Sequence, residues 1–159
     1  MSNAPTPSQT VGPFFGFALP FADGENAAAI GVRVEGQLLD GAGEPVPDGL
    51  IEVAQDGEFA RSGTDAEGAY HFVIGKPAPK PGQAPHLEVT VFARGLLRRL
   101  TTRMYFPEEV AANAADPVLE LAGDRRDTLI ARADNGVLRF DIRLQGGDET
   151  VFFELERLR

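Results

Sequence analysis

The chain has 159 residues, a net charge of -9 and no cysteine. That length suits one domain with a core of its own. The missing cysteines exclude disulfides, thiolate metal sites and cysteine nucleophiles, and the acidity argues against a basic nucleic-acid groove. With 18 glycines and 12 prolines the composition favours many short strands joined by turns, an all-β class. Residues 1–12 have neither a basic n-region nor an apolar h-region, and no run of about 18 apolar residues occurs anywhere. A cytoplasmic protein is therefore expected.

Met1 to Gln9 is polar and proline-bearing, an arm that does not fold alone. Thr10 to Phe17 then sets three phenylalanines among two glycines and a proline, too irregular for a helix and too apolar for water. It should dock on the domain's own core or on a partner subunit. We take residues 1–30 as the arm and 31–159 as the folded domain. Gly31 to Asp40 alternates as a half-buried strand, and Leu50 to Ala54 begins the next. Asp56 to Gly68 reads as two glycine turns around a very short segment, and Ala69 to Ile74 as another strand. Lys76 to Pro85, rich in proline, must be an extended loop. It leads to Ala84–Phe106, two strands joined by a turn at Arg94-Gly95. Pro107, followed by acids and alanines, predicts a short helix ending before Pro117, with a loop over 116–121 and a second helical turn over 125–131. Gly136–Leu144 and Thr150–Leu155 read as a hairpin-like pair. Seven to eight such strands predict a two-sheet sandwich.

Candidates for chemistry are few. Two histidines and two tyrosines cannot make a histidine-rich metal cluster. His71 is a lone strand histidine. His86 and Glu88, at i and i+2 on one strand face, offer two metal donors where a site needs three or four. No nucleophile elbow, phosphate loop or dinucleotide glycine pattern is present. Asp65, Glu67, Asp148 and Glu149 sit in glycine turns, where acids bond to local backbone. The basic cluster Arg94, Arg98, Arg99 and Arg103 reads either as a set of surface ion pairs or, at Arg94, as a guanidinium fork aimed at a carboxylate.

Four stretches carry a resemblance over nearly the whole chain: Ser8-Gln9-Thr10-Val11-Gly12-Pro13-Phe14-Phe15; Ala84-Pro85-His86-Leu87 with Phe92-Ala93-Arg94-Gly95-Leu96; Thr102-Arg103-Met104-Tyr105-Phe106; and Phe140 to Gly146 with Glu149 to Phe153. In this order they resemble the intradiol ring-cleavage dioxygenase family, and within it the alpha subunits of bacterial protocatechuate 3,4-dioxygenase. The resemblance implies a β-sandwich and a beta subunit as partner, which holds Fe(III) with two tyrosines and two histidines. The corresponding positions here are Phe59, Lys80, His86 and Glu88, a degenerate set. The resemblance therefore implies no catalytic residue and no cofactor in this chain. It implies instead that Thr10, Gly12, Pro13 and Arg94 contribute to a substrate cavity shared with the beta subunit. The segment from Phe59 to Thr64 is much shorter than in the family. Two alternatives remain: a stand-alone β-sandwich binding or scaffold module, and a self-sufficient metal enzyme built on His86 and Glu88.

Overall fold

A computed structural model describes Thr10, Gly12 and residues 14–154; Pro13, Val11, residues 1–9 and the end of the last expected strand, Leu155, lie outside the described residues. Nine strands, β1 Val32–Leu39, β2 Leu50–Gln55, β3 Glu58–Gly63, β4 Ala69–Ile74, β5 His86–Phe92, β6 Leu100–Tyr105, β7 Arg132–Asp134, β8 Val137–Arg139 and β9 Ile142–Arg143, form two sheets among the described residues. One sheet runs β4-β1-β8-β7, with β9 also beside β1; the other runs β3-β2-β5-β6. The expected sandwich is there. Alternation decided it: β1, β4 and β5 each bury every second residue, and Val34, Leu38, Phe72, Ile74, Leu87, Val89 and Val91 fill the space between the sheets.

Two hairpins close on Asp56-Gly57 and Asn135-Gly136, with positive φ at all four residues. That is the turn whose twist matches paired strands. The first makes β3 a full partner of β2, from Leu50 opposite Gly63 to Gln55 opposite Glu58, where the sequence pattern had shown only a very short segment. The second pairs β7 with β8. It thereby replaces the expected pairing of 136–144 with 150–155. Instead, β8 and β9 run parallel to β1, and residues 150–154 form no strand. They lie as a strap along β6, with the Phe153 N–H donating to the Thr101 carbonyl at 2.8 Å and the Thr102 hydroxyl to the Val151 carbonyl at 2.7 Å.

The helical segments also differ from expectation. A single turn, α1 Phe15–Ala18, forms within the stretch thought too irregular for helix. Helix α2 is Val110–Ala115, so Pro107 precedes it by three residues rather than opening it. The proline that does open a helix is Pro117, in α3 Pro117–Leu121, capped by the Asp116 carboxylate on the Val118 and Leu119 N–H groups. A 3-10 helix over Gly123–Leu129 matches the second expected turn. Among the described residues no helix is long and apolar enough to cross a membrane.

The close approach of β1 to the β8–β9 segment rests on Gly36. At Phe140 the strand turns its carbonyl to the buried Tyr70 hydroxyl, which donates to it, and Asp141 accepts the Gln37 N–H at 3.1 Å. A Cβ on Gly36 would lie 1.8 Å from the Phe140 oxygen, so only glycine fits. Gly36→Ala should lower stability by about 3 kcal/mol or more, read as a lower urea midpoint at unchanged m-value; an unchanged midpoint would show that the strands can move apart freely.

Candidate functional site

The outer face of the β3-β2-β5-β6 sheet carries the polar side chains. β5 turns Leu87, Val89 and Val91 inward, leaving His86, Glu88, Thr90 and Phe92 on the other face. Register then sets their neighbours. Phe59, Ala54, Glu88 and Arg103 form one row across the four strands, and His86 stands opposite Tyr105.

At the His86 end, the β2–β3 turn, the loop bearing Lys80 and the start of β5 enclose an open cleft of about 380 Å³. Phe59, Lys80, His86 and Glu88, far apart in the sequence, all line it, with Asp56, Gly57 and Glu58 beside them. The Lys80 ammonium is 2.7 Å from the Asp56 carboxylate. Glu58 accepts from the Gln55 side chain at 2.8 Å and the Gly75 N–H at 2.7 Å. The guanidinium of Arg61 lies 5.2 Å from the Phe59 ring and 5.8 Å from that of Phe21, and it is ion-paired to Glu52. His86 Nδ1 donates to the Ala84 carbonyl at 2.8 Å, which leaves Nε2 as the acceptor. Burial, together with the positive charge of Arg103, holds the imidazole below its ordinary pKa despite that hydrogen bond.

The donors present do not fit ferric iron. Phe59 has no donor atom, Lys80 brings a cation, and Asp56 and Glu58 are already engaged, so His86 and Glu88 stand alone. Among the described residues no three His, Cys, Asp or Glu side chains gather as a metal site. Neither tyrosine supplies a phenolate. Tyr70 is buried and donates to Phe140; Tyr105 is buried and donates to Asp116 at 3.2 Å. Burial raises both phenols, that of Tyr105 to about 12.

Arg94 is not in this cleft. It follows the opposite end of β5, whose two ends lie about 20 Å apart at the usual rise per residue. There it is 67% exposed, with Nε 3.0 Å from Asp48. The arm reaches the same end: Phe15 is buried, with its ring 6.3 Å from that of Phe92. Thr10 and Gly12 are exposed, and Pro13 is outside the described residues. Of the arginine cluster, Arg94 pairs with Asp48 and Arg98 with Glu154. Sequence reasoning missed Asp116, which is buried and accepts from the N–H groups of Ala84, Val118 and Leu119. The aspartate before Pro117 was its only signal.

The chain is 40% identical to the protocatechuate 3,4-dioxygenase alpha chain of Burkholderia cepacia over 198 aligned positions, covering 94% of this chain and 97% of that one. To the alpha chain of Pseudomonas putida it is 37% identical, covering 94% and 96%. The chain belongs to the protocatechuate 3,4-dioxygenase alpha-chain family. An alignment longer than the chain's own 159 residues means that this alpha-type chain lacks segments its relative carries. The Burkholderia cepacia beta chain is also similar, at 32% identity over 79% of this chain and 70% of that one. Among solved structures, the dioxygenase domain of a carbohydrate-binding fusion from Streptomyces sp. SirexAA-E has the same fold, with a TM-score of 0.58 at 23% identity, covering 77% of this chain and 88% of that one. An intradiol ring-cleavage dioxygenase from Tetranychus urticae gives a TM-score of 0.54 at 15% identity over 75% and 83%. No family model matches the chain. With alpha-chain relatives over 94% of its length, the stand-alone module reading is set aside.

The His86 environment has a measurable consequence. Its folded pKa lies below 6.5, so the folded state refuses a proton that the unfolded chain accepts. This contribution lowers stability as the pH falls below about 6.5. In an NMR titration of the two imidazoles, the resonance lost in His86→Gln should have its midpoint below 6.5, and the variant should lose less stability between pH 7 and 5. A midpoint at or above 6.5 would contradict the half-buried, neutral ring.

Proposed function

We propose that the chain is the alpha subunit, not itself iron-binding, of a cytoplasmic protocatechuate 3,4-dioxygenase. It pairs with a beta subunit that holds Fe(III), in αβ units that assemble further. The complex inserts both atoms of O₂ into protocatechuate, cleaving the ring between the two hydroxyl-bearing carbons to give 3-carboxy-cis,cis-muconate. One observation carries the reading: likeness to alpha chains extends over 94% of the chain. The division of labour is supported by the cleft, where the ammonium of Lys80 and the hydrocarbon ring of Phe59 stand beside His86 and Glu88.

Residues 1–30 act in this reading as an arm toward the partner. Phe15 anchors it, while Phe14 and Phe17, 68% and 71% exposed and in edge-to-face contact, offer an apolar surface. Thr10, Gly12 and Pro13 form part of the wall of the shared substrate cavity. Arg94 supplies a positive charge there, since its exposed ion pair with Asp48 has little to lose on exchange for a substrate or partner carboxylate.

Purified alone, the chain should contain no iron and consume no O₂ with protocatechuate; co-expressed with a beta-type chain it should co-purify and turn the substrate over. Stoichiometric iron with a visible tyrosinate band in the isolated chain would sink the assignment. In the complex, Arg94→Ala should lower kcat/KM by about tenfold, the value of one charge-assisted contact, with the alpha chain still bound. Unchanged kinetics would remove Arg94 from the cavity.

A further inference from the structure

Beyond Glu88, on the same sheet face, lies a second cleft of about 400 Å³. Thr90 and Thr101 face each other across β5 and β6 on its floor, Val118 of α3 and Phe153 of the strap form apolar walls, and Arg99 and Arg103 bring two guanidinium groups to it. Neither arginine has a carboxylate within 4.0 Å among the described residues, unlike Arg94 and Arg98 of the same cluster. Arg98 already holds Glu154, the acid next to Phe153. Glu88 is opposite Arg103 in register, where a cross-strand ion pair is expected. Yet Arg103 leans instead toward the Tyr105 hydroxyl, at 3.4 Å.

Two cations and one carboxylate leave the cleft with one positive charge in excess, which suits a monoanion and disfavours a dianion beside Glu88. The fork geometry of arginine matches a carboxylate, the threonine hydroxyls can bond to polar substituents, and the volume is that of a small-molecule site. We propose that this cleft binds a small monocarboxylate with a flat apolar body, its carboxylate held by Arg99 and Arg103 and its ring set against Val118 and Phe153.

Titration calorimetry on the full chain tests this, with benzoate as probe, benzamide as its neutral counterpart and inorganic phosphate as the competing anion. Benzoate should bind at one site, and benzamide and phosphate should not. Arg99→Gln and Arg103→Gln should each weaken benzoate binding by about tenfold or more, while Arg98→Gln leaves it unchanged. Arg99 is exposed, so its variant remains informative if Arg103→Gln disturbs the Tyr105 contact. Equal affinity for benzamide, preference for phosphate, no benzoate binding, or binding untouched by both substitutions would each overturn the proposal. Failure to bind benzoate, with the same substitutions weakening capture of the beta-type chain, would assign the arginines to a protein contact instead.

Discussion

The buried carboxylate of Asp116 holds together the parts of the molecule that its strands do not. It accepts the Ala84 N–H from the proline-rich loop, the Tyr105 hydroxyl from β6 and two N–H groups at the start of α3. Burial by itself would raise its pKa; the hydrogen bonds from Ala84, Leu119, Val118 and Tyr105 hold it below the ordinary value instead. A buried anion is tolerable only when so satisfied. Through Ala84 the effect passes to His86, whose Nδ1 bonds to the Ala84 carbonyl. One side chain thus fixes the loop, the helix start and the imidazole orientation in the first cleft.

Sheet architecture supplies the remaining order. The arm is stitched to both sheets near its end: Gly24 accepts from the Arg61 N–H of β3, and Glu25 and Ala27 bond to Val73 of β4. Lys76 binds Glu108 and Glu109 and lies 5.1 Å from the Phe106 ring, which ties the proline-rich loop to the entry of α2. Backbone outside the ladders is therefore held by main-chain bonds in the arm and by side chains in the proline-rich loop. Both clefts lie on the sheet face opposite the one that buries Leu87, Val89 and Val91.

The strands were legible because period-two burial is written directly in β1, β4 and β5. Elements that depend on distant partners were not. β8 and β9 chose β1 as a parallel neighbour, a pairing that local pattern cannot reveal, and the 150–154 strap followed from that choice. Pro117 was taken as a stop because its meaning depends on Asp116 being free to cap. The resemblance named Phe59, Lys80, His86 and Glu88 from scattered positions, and they share one cleft. No local pattern separated Arg94 and Arg98, which pair with Asp48 and Glu154, from Arg99 and Arg103, which form no ion pair among the described residues; that distinction is made by where Asp48 and Glu154 fall in space.

The pair formed by Lys80 and Asp56 bears on how readily the first cleft could change character. A four-donor set there would need new side chains at both 59 and 80. Neither replacement helps by itself: a donor at 59 would still face an ammonium, and removing the ammonium would leave Asp56 without its counter-charge and position 59 still hydrocarbon. Either change alone therefore leaves the cleft short of four donors. The ion pair thus keeps one carboxylate of the cleft occupied and a positive charge beside His86 and Glu88.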